Sequence, residues 1–160
     1  MTTPETRRVQ IEALRDLPDL LEAAIDGWTN DQLDYQPAAD AWSARQIVHH
    51  LADSHSQAFF RIKLTLTEDI PRVKPYDQDA FANIADSRDL PLAPSLAILR
   101  GLHQRLVYVL ERMSDADFER AYFHPEQERN VSLSDALTSY AEHGGAHIRQ
   151  IAANRTAAGW

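Results

Sequence analysis

The chain has 160 residues, of which 44% are hydrophobic and 25% charged, the balance of a folded protein rather than a disordered one. That length favours one domain, residues 1–160, with a core that needs no staples. A formal net charge of −8 argues against a nucleic-acid partner, and the lack of cysteine removes disulfides, thiolate metal sites and a cysteine nucleophile.

Thr3-Pro4 has the pattern of an N-cap with proline at the first helical position. Val9, Leu14, Leu17, Leu21, Ala24, Ile25 and Trp28 follow at helical spacing. Pro18 is expected to kink this helix or restart it after Leu17, and Gly27 to stop it. Residues 29–42 read as a connector. Ser43 caps a second helix of about seven turns, with no proline or glycine before Pro71. Ile47, Leu51, Ala58, Ile62 and Leu66 mark its buried face, with His50 at the edge, and Trp42, Phe59 and Phe60 read as core.

Residues 68–94 carry Pro71, Pro75, Pro91 and Pro94 and form a long connection, with a short helix around residues 78–84. A segment of this length is expected to cross the bundle or cover a site. Ser95 is expected to cap a third helix carrying Leu96, Leu99, Leu102, Leu106, Val109 and Leu110. A short turn of helix at 115–120 and a polar loop from Tyr122 to about Asn130 come next. Ser132, with Asp135 at capping-box spacing, starts the last helix. Its stripe is Leu133, Leu137, Tyr140, His147, Ile148 and Ile151. Gly144 and Gly145 lie inside it, each costing about 1 kcal/mol against alanine. The pair implies a close approach to the backbone by a neighbouring helix or a ligand.

The expected fold is therefore all-α, a four-helix bundle with a long crossover connection. The N-terminus has no apolar h-region and no apolar run approaches a membrane span, so no membrane association is expected and the cytoplasm is the default.

His143 and His147 are four residues apart on the last helix, within about 40° of one face. Two imidazoles so placed can share one metal ion, although seven histidines in the chain also allow the pair by chance. A third ligand must come from elsewhere, and His49, His50 and His55 all stand on the second helix.

Trp42-Ser43-x-x-Gln46-Ile47-Val48-His49-His50-Leu51-Ala52-Asp53-Ser54, together with His143-x-x-x-His147-Ile148-x-Gln150, resembles the signature of the DinB-like superfamily. The match is nearest its YfiT branch, whose members are described as metal-dependent hydrolases or bacillithiol S-transferases. Arg61-x-Lys63-Leu64, Pro75-Tyr76-Asp77, Leu102-His103-x-Arg105, His124-Pro125-Glu126 and Gly159-Trp160 extend it over most of the chain. Order and spacing carry the resemblance, more than any one piece. It implies His50, His143 and His147 as metal ligands, with one divalent transition metal per subunit, zinc or nickel first. Asp53, Gln150, Tyr140 and Arg61 are candidates to orient the ligands or line the pocket, and Arg61 or Arg149 to hold a carboxylate of a cosubstrate. Positions 142, 144–146 and 150 depart from the branch, so the surrounding pocket is expected to differ. The activities implied are transfer of a low-molecular-weight thiol, bacillithiol-like, to an electrophile, or hydrolysis of a small molecule. A non-enzymatic, stress-related metal-binding bundle is the third reading. A homodimer is also implied.

Overall fold

In the computed structural model, which describes residues 2–160 and leaves Met1 of the expected domain outside, α1 (Pro4–Ile25) starts where Thr3 accepts from the Thr6 N–H. The helix runs on through Pro18 without restarting after Leu17. Proline cannot donate to the carbonyl of Leu14, four residues earlier. His103, from a helix packed alongside, does so instead: its Nδ1–H donates to that carbonyl at 2.5 Å. A tertiary hydrogen bond thus replaces the missing helical one. Val9, placed by periodicity on the apolar stripe, is exposed.

The connector contains a single helical turn, α2 (Asn30–Leu33), closed by a capping box of Thr29 and Gln32. A second such box, Ser43 with Gln46, opens α3 (Ala44–Thr67). Ile47, Leu51, Ala58 and Ile62 are buried along it, Leu66 only partly. Phe60 is 67% exposed and is not core; one residue past buried Phe59, it is turned about 100° away. Arg45 ties the neighbouring segments to the start of α3. Its guanidinium pairs with Asp34 at 2.5 Å and donates to the Leu90 carbonyl and Asn30 Oδ1, both at 3.0 Å.

Two short helices, α4 (Gln78–Ala82) and α5 (Ala85–Asp89), occupy the long connection and pack on α3. Next comes α6 (Ala93–Leu110), whose cap position is Leu92, without a side-chain cap, and whose first turn holds Pro94. The expected cap, Ser95, is instead buried inside that turn, with its hydroxyl 2.7 Å from His49 Nδ1. Proline in the first turn pre-sets the backbone and frees the serine for this contact.

After α7 (Asp115–Glu119), capped by Ser114, the expected polar loop is a hairpin of β1 (Ala121–His124) and β2 (Arg129–Ser132). The strands are antiparallel, with Tyr122 opposite Val131 and Phe123 opposite Asn130. Four-residue strands are too short to show a period-2 pattern, and part of their support is distant in sequence. The Val73 N–H donates to the Phe123 carbonyl and the Phe123 N–H to the Pro71 carbonyl. Ser132 caps α8 (Leu133–Ala158) by accepting from the Asp135 N–H; Asp135 does not return the bond.

The four long helices pack with α1 against α6 and α8, and α3 against the same two. Helices α1 and α3, successive among the long four, therefore lie across a diagonal. The core has two apolar clusters. One joins Ile11, Leu14, Ile62, Leu106, Leu110 and Leu137; the other joins Leu21, Ile47, Leu51, Leu99 and Ile151. Between them along the helices lie the buried His55 and His103 and the half-buried His143. Among the described residues no helix is long and apolar enough to cross a membrane.

Candidate metal centre

His50 stands on the second turn of α3, and His143 and His147 stand one turn apart in the middle of α8. Expected at the edge of its helix face, His50 is only 3% exposed, because α8 packs directly over it. The Nε2 of His143 lies 3.2 Å from Nε2 of His50 and 3.1 Å from Nε2 of His147. One ligand nitrogen from each of the three lies within 4.8 Å of the others. Two nitrogens bound tetrahedrally to zinc at about 2.0 Å would be about 3.3 Å apart, so this spacing already suits a shared ion.

Hydrogen-bond chemistry gives a second test of that fit. The Gln150 Oε1 can only accept, and it sits 2.9 Å from His147 Nδ1. His147 therefore carries its proton on Nδ1 and presents a lone pair at Nε2. His143 Nδ1 lies 3.3 Å from His55 Nε2. With the proton on that Nδ1, His143 also presents a lone pair toward the common point. With the His50 proton on its Nδ1, which has no partner, the three nitrogens would face one another with no proton to share, a conflict that a cation resolves. The donor set fits a divalent transition metal.

Electrostatics agree. Burial, then the neighbouring His147 and His143, lower the His50 pKa to about 3. Burial, then His147, lower that of His143 to about 4. Burial lowers His147 as well, opposed by Gln150. All three are neutral at physiological pH, the form that binds metal.

His49 turns to the opposite side, between Ser95 and the Leu90 carbonyl at 3.1 Å. His55 is fully buried, meets the outer nitrogen of His143 rather than the common point, and stacks on His103 with ring centroids 4.9 Å apart. Through His103 the site is linked to the free carbonyl beside Pro18. Asp53 makes no hydrogen bond to the three histidines; burial, then Asp86, raise its pKa. The Tyr140 ring lies 6.4 Å from that of His143, and its hydroxyl accepts from Arg61 Nη1 at 3.0 Å. His124 is buried on the hairpin, and Arg149 is exposed.

Sequence reasoning treated Trp42 as core, but its ring packs on the site. Its centroid is 4.6 Å from His50, and it stacks over His147 at 6.1 Å with an interplanar angle of 9°. No local pattern carries that signal, since Trp42 precedes α3 and reaches α8 only in the folded state. The Trp42 carbonyl accepts from Asn154 Nδ2 at 2.9 Å, which fixes the approach. Three protein ligands leave at least one coordination position open, as catalytic rather than structural sites do.

Comparison with known proteins adds to this geometry. The model of a family described as the DinB superfamily matches residues 13–151. The chain is 41% identical over 150 residues to a Geobacillus thermodenitrificans protein, covering 94% of this chain and 84% of that one. It is 37% identical over 150 residues to YfiT of Bacillus subtilis, with the same coverage of 94% and 84%. Both relatives are named candidate metal-dependent hydrolases. The solved structure of Bacillus subtilis YfiT superposes with a TM-score of 0.96 at 36% identity, covering 100% of this chain and 91% of that one. Its description gives it an unusual four-helix bundle topology.

Proposed function

Given that the chain belongs to the DinB superfamily, we propose that it is a metal-dependent enzyme whose ion is held by Nε2 of His50, His143 and His147. The observation that carries this is the convergence of three imidazole nitrogens on one point, with Gln150 fixing the tautomer of one of them. The ion would be one divalent transition metal per subunit: three imidazoles suit zinc, nickel, iron or cobalt, and zinc or nickel is placed first. When bound, it would supply a Lewis acid that ionises a coordinated thiol or water at neutral pH.

The reaction we favour is transfer of a low-molecular-weight thiol, bacillithiol-like, to an electrophile. The chain has no cysteine, so the sulfur arrives as a cosubstrate. The three-histidine group includes no carboxylate among the described residues. A thiol made acidic at the site needs no protein base, whereas water attack commonly uses one. The residues' task is then to orient the three imidazoles, to exclude water with Trp42, and to place the two substrates side by side. The second reading, hydrolysis, is supported by the names of the relatives and by Asp53, a half-buried carboxyl three residues beyond His50 that could act as base. Assembly as a homodimer belongs to the same proposal, and a monomer in light scattering would remove it.

The test measures metal content of the purified protein, then turnover of electrophiles with and without an added thiol. Thiol-dependent conjugation that is abolished by a chelator and survives Asp53→Asn supports transfer. Thiol-independent turnover that Asp53→Asn removes supports hydrolysis. A metal-loaded protein that turns over neither class leaves a non-enzymatic binding role, and the enzyme reading fails.

A further inference from the structure

His55 is 0% exposed, with its ring stacked on His103 at 4.9 Å between centroids and edge-on to Tyr140 at 5.7 Å. Packing holds the ring in place, but it does not explain an imidazole where an apolar side chain would cost less to bury. The one hydrogen-bond contact that this ring makes among the described residues is with a metal ligand: its Nε2 lies 3.3 Å from Nδ1 of His143. Its own Nδ1 is buried with no partner. His103 competes for neither nitrogen, since its Nδ1–H is given to the Leu14 carbonyl and its Nε2 has no partner.

Burial, with the neighbouring histidines, keeps His55 and His143 neutral at physiological pH. Each ring therefore carries one proton, and the contact between them needs that proton on one of the two facing nitrogens. Two arrangements meet this need. In the first, His55 Nε2–H donates to His143 Nδ1. The proton of His143 is then on Nε2, aimed at the common point, where it blocks an ion. It faces Nε2 of His147 at 3.1 Å and Nε2 of His50 at 3.2 Å. The His147 nitrogen is a lone pair, because Gln150 takes the Nδ1–H of that ring. In the second arrangement, His143 Nδ1–H donates to His55 Nε2. His143 then presents a lone pair to the common point, and the proton of His55 is on Nδ1.

Only the second arrangement can hold an ion. Without one it sets the bare Nε2 atoms of His143 and His147 against each other at 3.1 Å, a contact that the first arrangement turns into a hydrogen bond. The contacts thus favour opposite arrangements with and without the metal, and His55 is the group that can serve in both, as donor or as acceptor.

We propose that His55 is a positioning residue for His143, and that the two rings exchange tautomers together when the ion binds. Both hold their proton on Nε2 in the metal-free protein and on Nδ1 in the loaded one. The proton between the rings crosses from His55 to His143, the one on His143 Nε2 leaves to water, and water returns one to His55 Nδ1, so the total charge of the two rings is unchanged. His147, fixed by Gln150, keeps its tautomer throughout. The inference rests on the metal centre proposed above but not on the choice between thiol transfer and hydrolysis.

The experiment uses the full chain labelled with ¹⁵N. Long-range ¹H–¹⁵N spectra, in which protonated and bare ring nitrogens resonate far apart, are recorded after chelation and again with one equivalent of zinc. His55 and His143 should both change from Nε2–H to Nδ1–H, while His147 remains Nδ1–H. Zinc competition then compares two variants. His55→Leu, which packs but cannot accept, should weaken zinc at least about tenfold, the usual effect of removing a ligand's outer partner. His55→Gln, whose amide can donate or accept at the same place, should recover most of that loss; a packing role would favour leucine over glutamine instead. A parent that binds zinc with His55 still protonated on Nε2 overturns the inference and leaves the metal centre standing, as does parent-like zinc affinity in His55→Leu. A parent that takes up no metal removes the centre and the inference with it. Where a variant or the chelated chain does not fold, the spectrum of the zinc form decides alone: Nδ1–H on His55 there keeps the inference, and Nε2–H removes it.

Discussion

His147 owes its tautomer to a residue three positions along the same helix. Because Gln150 Oε1 accepts from Nδ1–H, the ring is turned and its Nε2 lone pair is aimed at the common point. Outer partners of this kind typically change metal affinity by about 10–100-fold. Gln150→Ala should therefore weaken zinc binding by about that factor, and His147→Ala should weaken it far more. Competition against a chromophoric chelator measures both, and parent-like affinity in Gln150→Ala would show that the hydrogen bond does not orient the ligand. The His143–His147 pair was legible because four residues return a helix to the same face. His50 was not separable from its neighbour His49 by pattern, since the two share one turn of α3 and what differs is which one faces α8; His55, nearer the middle of the apolar stripe, reads as a core histidine and is fully buried. That choice came from family resemblance. Trp42 reads only as core, because its contact with His147 joins the segment before α3 to α8, far apart in sequence.

At the scale of elements, boundaries set by local chemistry were readable and those set by distant contacts were not. Thr3, Ser43 and Ser132 each cap a helix as expected, because side-chain capping is a property of four adjacent residues. The continuity of α1 through Pro18 depends on His103, and the hairpin depends partly on residues 71–73, so neither was visible locally. The glycine pair of α8 separates under the same logic. A Cβ built at Gly144 would lie 2.6 Å from Leu17 Cδ2, so α1 is the neighbour that approaches. At Gly145 the nearest atom is Arg149 Nη1 at 3.4 Å, the end of a flexible chain. Gly145→Ala should stabilise the protein by up to about 1 kcal/mol through helix propensity. Gly144→Ala gains the same but overpacks a buried contact at about 1–3 kcal/mol, so the net effect should be a loss. Urea unfolding measures both, and shortening the neighbour in Leu17→Ala/Gly144→Ala should relieve part of the clash relative to the two single variants. Equal stabilisation by the two alanines would mean that Leu17 moves aside freely.

The whole molecule places its polar site between two apolar clusters rather than at one end. The four-helix class could be read from amphipathic periodicity in four long segments. The diagonal placement of α1 and α3 could not, because periodicity gives the buried face of each helix but not its neighbour. Both clusters are built from side chains of several helices, so each can hold the bundle without an ion. Metal should then add to stability without creating the fold. A ligand that binds only the folded state at 100 times its Kd stabilises by about 2.7 kcal/mol. For a chain of this size that corresponds to a rise in Tm of roughly 5–10 °C. Chelator-treated protein should therefore keep the far-UV circular dichroism of the loaded form at 25 °C while melting lower. Added zinc should restore the midpoint in the parent but not in His50→Ala, whose ligand set is broken. If the chelated chain instead lost its helical signal, the ion would be a staple of the fold. The two apolar clusters would then be insufficient alone, and the reading of the site as an open, catalytic one would lose its structural basis.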